Sequence, residues 1–303
     1  MIMRKYDILW VALAALSLSF SSCTKDEPFG SPWLDPEENP WAEEEDETTP
    51  EPESTFVDMG IRVVSSVAAD GTVTTVAIGY ADDRDFMLNH LNAQPLYFAT
   101  GNLIVHRNGT ARLGAPDEIT AATLSNYYGA DDEERDLFGW ADTTGWKTSR
   151  DLDDYPSQLP PEGISGNPDY DIARAKLGDG WRLPTAEELS FLMEKVARNT
   201  TTSLPWQENH SSSGSHTNWQ PSRFGITLTS TVGGFMSRSI FIPAVGSRVG
   251  VGAERATYGI YWSGTRHAAD TSYGLSFNSN GWNVRGHIRL NGFTVRPVKD
   301  AIL

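Results

Sequence analysis

The chain has 303 residues and a formal net charge of −16, with 40 acidic residues against 24 lysines and arginines. This acidity argues against a nucleic-acid partner, because phosphate contacts need clustered lysines and arginines. The single cysteine, Cys23, excludes an intrachain disulfide and a zinc site built from several cysteines.

The first residues have the parts of a bacterial signal peptide. Two basic residues precede an apolar run over residues 8–20, which is shorter than the roughly 20 residues that a membrane span needs. Two serines then lead to Cys23, in a pattern that resembles a lipoprotein cleavage box. We therefore expect residues 1–23 to be a lipoprotein signal peptide that ends at the lipidated Cys23. Fatty acids such as palmitate on this cysteine would anchor the protein to the membrane.

Residues 24–55 form a second segment of very different composition. They contain twelve acidic residues, one lysine and six prolines, so most of the negative charge belongs to them. Such a segment cannot bury enough apolar surface to offset the entropy of ordering, and we expect an extended, disordered tether. Lys25, Asp26 and Glu27 directly follow the cysteine and resemble the acidic export signals of Bacteroidota surface lipoproteins. This resemblance implies a lipid-anchored protein of the cell outer membrane that is exposed at the surface.

From residue 56 onward the composition is that of a globular protein, and residues 56–303 suit one large domain. Short apolar and β-branched runs predict strands, and an Asp-Gly pair between the first two runs predicts a hairpin turn. The predicted strands cover residues 61–67, 73–78, 95–106, 239–244, 258–264, 273–277 and 293–298. Residues 246–252 are glycine-rich but lack the third glycine of a nucleotide-binding motif, and we expect a loop there.

Two short helices are predicted among these strands. The clearer one covers residues 185–198, because Thr185 and Glu188 have the spacing of a capping box and an apolar stripe follows at helical spacing. The other covers residues 170–177 and ends at Gly178. Few helices among many irregularly spaced strands indicate an α+β domain rather than alternating βαβ units.

Six short motifs, found in a fixed order, give the domain a family resemblance. They are FVDMG at residues 56–60, YFATGNL at 97–103, LGDGWRLPT at 177–185, SIFIPAVG at 239–246, YWSGT at 261–265 and GFTVRPV at 292–298. Together they closely resemble the Fibrobacter succinogenes major paralogous domain family, which occurs in many Bacteroidota surface lipoproteins. The resemblance covers nearly all of residues 56–303.

The resemblance implies a C-type-lectin-like fold. In this fold two short helices surround a twisted antiparallel sheet with long loops, and the N- and C-terminal strands are brought together. The motif residues themselves are mostly expected to support the fold. Trp262 and Phe293, which lie in strand-like runs, are expected in the core.

The sequence offers no persuasive catalytic or metal-binding pattern. Zinc-protease, serine-hydrolase and phosphate-loop motifs are missing. The acidic runs at residues 131–134 and 151–154 lack the residue placement of a calcium-binding EF-hand, so we interpret them as solvated loops. The calcium motifs of sugar-binding C-type lectins are also missing, since Trp282 and Asn283 are followed by Val284. We therefore expect no catalysis, no metal and no cofactor.

The best candidate binding surface lies within residues 261–292, where aromatic, arginine, asparagine and histidine residues occur in glycine-rich loops. Such residues supply flat stacking faces and adaptable hydrogen bonds, and C-type-lectin-like proteins display ligand contacts in this part of the fold. A second candidate is the loop over residues 204–224, with Trp206, His216 and Trp219. The residues predicted to bind are Arg266, His267, Asp270, Tyr273, Trp282, Asn283, Arg285 and His287.

These features predict a cell-surface, non-enzymatic ligand-binding or adhesion module whose partner is a glycan or a protein. Two alternatives remain open. A structural or tip subunit of a surface fibre would show a large apolar patch or an unpaired edge strand. A secreted glycan-active hydrolase would need two carboxylates about 5 to 10 Å apart in a cleft.

Overall fold

The fold is built mainly from short antiparallel strands. The computed structural model describes residues 55–125, 129, 131–147, 155–200, 225–254, 258–278 and 280–300. Its strands are β1 (Phe56–Val67), β2 (Val73–Tyr80), β3 (Gln94–Ala99), β4 (Leu103–His106), β5 (Ala111–Leu113), β6 (Glu134–Arg135), β7 (Trp181–Arg182), β8 (Ala197–Thr200), β9 (Gly225–Ser230), β10 (Ser239–Pro243), β11 (Ser247–Val249), β12 (Gly252–Glu254), β13 (Tyr258–Arg266), β14 (Thr271–Asn278), β15 (Gly281–Ile288) and β16 (Val298–Lys299). Its helices are α1 (Arg84–Asn89), α2 (Ala121–Leu124), α3 (Ile172–Leu177) and α4 (Ala186–Phe191), and α4 continues into a π-helical turn at Leu192–Val196.

This part of the chain is therefore mostly β-sheet with a few short helices, which is an α+β arrangement. It contains more helices than the two that the sequence predicts, because α1 and α2 are too short to show helical periodicity. None of these helices has the length and apolar character that a membrane span requires.

The largest sheet brings the two ends of the domain together. Its order is β2-β1-β3-β16-β7, and all neighbours are antiparallel. Phe98 on β3 pairs with Val57 on β1 and with Val298 on β16, so the first and last strands flank the same strand. The predicted hairpin is confirmed as β1 and β2 at one edge of this sheet. In its turn the Asp70 carboxylate accepts a 3.0 Å hydrogen bond from the N–H of Thr72.

Four smaller sheets complete the strand pairing of the described residues, in the orders β5-β4-β6, β10-β9-β8, β11-β12 and β13-β14-β15. The single strand predicted over residues 95–106 is wrong, because β3 and β4 belong to different sheets. The chain turns between them at Gly101, where a Cβ would collide with the carbonyl group of Gly114. This close approach of two backbones requires glycine, and it divides one apolar run into two strands.

Two further stretches differ from the sequence-based expectation. The glycine-rich loop predicted before β13 is instead the hairpin of β11 and β12, with Gly250 at its turn in a left-handed conformation (φ +61°). In the strand predicted over residues 293–298, only β16 is regular. Phe293 forms an isolated bridge with Phe138, and Pro297 has no N–H to continue a ladder.

The predicted start of α4 and the predicted end of α3 agree with the structure, whereas α3 begins two residues later than predicted, at Ile172, and the end of the other helix also differs. At the start of α4 the N–H of Thr185 donates to the Glu188 carboxylate (2.9 Å), and the N–H of Glu188 donates to Thr185 Oγ1 (3.3 Å). This confirms the predicted capping box. The helix predicted over residues 185–198 is too long, because the backbone of β8 pairs with β9 instead. As predicted, α3 ends before Gly178.

Two apolar cores lie on opposite sides of β13. Tyr261, Leu275 and Phe277 belong to the first core, together with side chains from β1, β3, β9, β10 and α4. Trp262 belongs to the second core, where it packs with Phe293 and with side chains from β4 and α3. Trp262 and Phe293 are 1% and 2% exposed, which confirms that they are core residues. The β13–β15 sheet therefore packs on the first core along its length, whereas the second core covers the other side at β13.

A buried ion network ties the start of α4 to the end of the domain. The Arg182 guanidinium donates to the carboxylates of Glu188 (2.7 Å) and Asp300 (2.7 Å), and none of these three side chains has exposed surface. Thr75 on β2 donates a further hydrogen bond to Glu188 (3.0 Å). The LGDGWRLPT motif therefore has a structural role, as the sequence predicts.

Candidate functional site

The eight predicted binding residues lie on one three-stranded sheet and in the loop between two of its strands. Arg266 ends β13, His267 and Asp270 lie in the following loop, and Tyr273 lies on β14. The other four candidates lie on β15. The sequence places residues 278–287 in a loop, but most of them form a regular strand with alternating exposure. This difference decides which side chains can act together.

Successive residues of a strand face opposite sides of a sheet, and the pairing of β14 with β15 assigns each candidate to a side. The first face lies against the first core, and the second face is the opposite one. The cross-strand pairs are Phe277–Trp282 and Tyr273–Gly286 on the first face, and Ser276–Asn283, Gly274–Arg285 and Ser272–His287 on the second face.

The candidates therefore do not form one surface. Trp282 on the first face is half-buried and packs against the first core, so much of its ring is already occupied. Tyr273 lies on the same face and makes an edge-to-face contact with His267 (4.7 Å between ring centroids). His267 Nδ1 also shares a 2.8 Å hydrogen bond with Thr271 Oγ1.

The loop residues are held mainly by backbone groups. Arg266 donates to the carbonyl groups of Leu159 (3.3 Å) and Ala268 (3.3 Å). The backbone carbonyl of Asp270 accepts a hydrogen bond from the N–H of Arg289 (3.1 Å). Asp270 and His267 are exposed, and they remain available to a ligand that reaches this end of the sheet.

His287 is the anchored member of the second face. Its Nε2 is 2.7 Å from Ser276 Oγ. Its ring also makes edge-to-face contacts with the rings of Trp262 (6.3 Å between ring centroids) and Phe293 (5.1 Å between ring centroids). Burial, with a smaller effect from the charge of Arg285, lowers the pKa of His287 to about 4. The imidazole is therefore neutral at neutral pH, and it acts there as a hydrogen-bonding group rather than a cation.

Arg285 and Asn283 are the exposed members of the second face. Among the described residues Arg285 has neither an ion pair nor a side-chain hydrogen bond, and the same holds for Asn283. Directly opposite Arg285 lies the buried Gly274, and the ring of His287 lies over this glycine on its way to Ser276. We call Ser276, Asn283, Arg285 and His287 the polar shelf.

Ser276 is the member of the polar shelf that sequence reasoning missed. Its place beside Asn283 and its hydrogen bond to His287 depend on the register of β14 against β15. Register is set by the tertiary pairing of two strands and cannot be read from either strand alone.

Three carboxylates of the acidic run at residues 131–134 lie beside nitrogen-bearing side chains. Asp132 lies 3.6 Å from Arg135, Glu133 lies 3.5 Å from His106, and Glu134 binds Arg112 at 2.9 Å. No group of three histidine, cysteine or carboxylate side chains in the described ranges could hold a metal ion. The acidic run at residues 151–154 and the second candidate surface at residues 204–224 lie outside the described residues.

Comparisons with protein-family models, with curated proteins and with solved structures found no match for this chain.

Proposed function

We propose that this protein is a cell-surface lipoprotein that binds a ligand, without chemical turnover, on the polar shelf of β14 and β15. The observation that carries the proposal is the exposed Arg285, which has neither an ion pair nor a side-chain hydrogen bond among the described residues and lies on the same face as the exposed Asn283. Exposed, unpaired polar groups on a sheet whose opposite side packs on the first core are suited to recognising a partner with little reorganisation.

The proposal includes a C-type-lectin-like fold of the Fibrobacter succinogenes major paralogous type. The six ordered sequence motifs support it, and so does the arrangement of β1 and β16 on either side of β3. The long, irregular connections between the small sheets are also in keeping with this fold. The function itself rests on the polar shelf, because a shared fold does not specify a ligand.

A lipid on Cys23 is the proposed anchor, with residues 24–55 as a tether at the outer-membrane surface. Replacing Cys23 by alanine is expected to abolish acylation and release the protein from the membrane fraction, because one cysteine carries the whole anchor. Protease treatment of intact cells should remove the domain of the unaltered protein. A Cys23→Ala protein that is still acylated and membrane-bound would disprove the anchor. Cleavage that occurs only after lysis would disprove surface exposure.

A fibre subunit is the second candidate, and the outer edge of β2 favours it. This strand ends its sheet, and Val76 on it is 65% exposed. At one end of this edge the N–H of Val73 donates to the carbonyl of Ser165 (2.6 Å), but no strand among the described residues pairs with it, and such edges can accept a strand from another chain. Analytical ultracentrifugation of the purified protein over a range of concentrations would test this role, which requires self-association.

The hydrolase alternative finds less support among the described carboxylates. Glu118 and Glu134 converge, but both bind the same guanidinium of Arg112 (2.6 Å and 2.9 Å). Hydrogen bonds from Arg112 hold the pKa of Glu118 below its usual range. A general acid of a glycosidase needs the opposite shift, so this pair is unsuited to that role.

An array of glycans and host proteins, probed with the purified full-length protein, tests the proposed function. We expect retention of at least one ligand class, and mass spectrometry of the bound ligand should show it unchanged. If the protein is folded, as shown by circular dichroism, and binds no ligand on the array, the proposal is contradicted. Turnover of any glycan would contradict its non-enzymatic part.

A further inference from the structure

The chemistry of the polar shelf restricts the class of ligand, and this inference rests on the proposed function. Arg285 supplies a permanent positive charge, since a guanidinium is protonated at every physiological pH. No carboxylate of the described residues lies within ion-pair distance of it. A guanidinium in this state can form two parallel hydrogen bonds to a carboxylate, which a lysine cannot do.

Gly274 makes room for the His287 ring to cross the sheet toward Ser276. A Cβ at this position would lie 3.0 Å from the carbonyl oxygen of Tyr261 and 3.3 Å from Cδ2 of His287. A larger residue would therefore strain the sheet and press on the ring that holds the Ser276 hydroxyl. With glycine there, the His287 ring lies flat enough to reach Ser276, and the side chains of Arg285 and Asn283 remain exposed on the same face.

The groups around the guanidinium are neutral and can both donate and accept hydrogen bonds. Asn283 lies on the same face two residues along β15, at roughly 7 Å by the rise of a strand. Ser276 is its direct cross-strand neighbour, and the neutral His287 fixes the orientation of the Ser276 hydroxyl (2.7 Å). The protein thus offers one cation with an amide and a hydroxyl group beside it. A ligand that is complementary to this arrangement has one carboxylate with hydroxyl groups beside it.

We propose that the polar shelf binds a sugar residue that carries a single carboxylate, such as a sialic or uronic acid within a glycan. Arg285 binds the carboxylate, and Asn283 and Ser276 hydrogen-bond to the hydroxyl groups of the ring. An acidic peptide is the less suitable ligand. It would bring several negative charges to the polar shelf, in which Arg285 is the single cation.

The test compares sialyllactose and digalacturonate with lactose and with a glutamate-rich peptide, by calorimetric titration of the full-length protein. We expect the two acidic sugars to bind at least about tenfold more tightly than lactose, and the difference to shrink as salt is added. Arg285→Gln should abolish the preference, and Arg285→Lys should retain part of it. The matched control is Arg107→Gln, which removes an exposed arginine from the turn after β4 and should change nothing.

Three results would overturn the inference. They are equal binding of lactose and sialyllactose, an acid preference that survives Arg285→Gln, and a preference for the peptide over both acidic sugars. If the array identifies a neutral ligand, the proposed function stands and only the acidic-sugar assignment fails. If the array identifies no ligand for a folded protein, the proposed function itself fails.

Discussion

Replacing Arg182 by methionine is expected to reduce the free energy of unfolding by about 3–5 kcal/mol, or to prevent folding altogether. The guanidinium is the shared partner of Glu188 and Asp300, and all three side chains are inaccessible to water. Without it, two carboxylates remain in the interior with no cation between them. Methionine fills much of the same volume, so the lost charge rather than an empty space should dominate.

Urea unfolding, followed by circular dichroism, measures this effect. The control is Asp179→Asn, which breaks the 2.8 Å ion pair with Arg174 at a carboxylate that is 86% exposed. Exposed pairs contribute only about 0–1 kcal/mol, so this variant should unfold close to the unaltered protein. If Arg182→Met were as stable as Asp179→Asn, the buried network would not hold the start of α4 to the end of the domain.

Replacing Trp262 by alanine is expected to cost about 3–5 kcal/mol. The side chain is 1% exposed and lies in the second core against Phe293 (4.6 Å between ring centroids). Its indole N–H donates to the carbonyl of Phe138 (2.7 Å), and that buried carbonyl would lose a partner. The His287 ring would also lose its edge-to-face contact with Trp262, which is one of the two aromatic contacts that position it.

The matched variant for this prediction is Trp282→Ala on β15. Trp282 is half-buried at the margin of the first core, so its removal should cost clearly less than the removal of Trp262. Thermal unfolding of both variants measures the two losses of stability and shows which is larger. Equal losses of stability would mean that Trp282 is as deeply integrated in the core as Trp262.

Local signals in the sequence predicted local structure well. The capping box of Thr185 and Glu188, the turn after Asp70 and the glycine after α3 all depend on residues within a few positions of one another. The end of the predicted helix and the division of the apolar run at Gly101 depend on partners distant in sequence. Such partners override local propensity, and one sequence does not reveal them.

The sequence indicates only part of the candidate site, because the rest depends on how distant strands pair. Residue type alone indicates this segment, and the structure places all eight candidates on one sheet or its loop. Their separation into two faces follows from the strand character of β15, which its two glycines obscured in the sequence. Had that strand been recognised, the alternation would have separated Trp282 from Asn283, because adjacent strand residues face opposite sides. The role of Ser276 required the register as well.

The most direct test of the binding surface compares two double variants against any ligand that the array identifies. Asn283→Ala/Arg285→Ala removes the exposed part of the polar shelf, and His267→Ala/Tyr273→Ala removes the ring pair on the first face. We expect the shelf variant to lose at least about tenfold in affinity, equivalent to about 1.4 kcal/mol, while the other variant binds as the unaltered protein does. Unchanged affinity in the shelf variant, with both variants folded, would contradict a binding site on this face of β14 and β15.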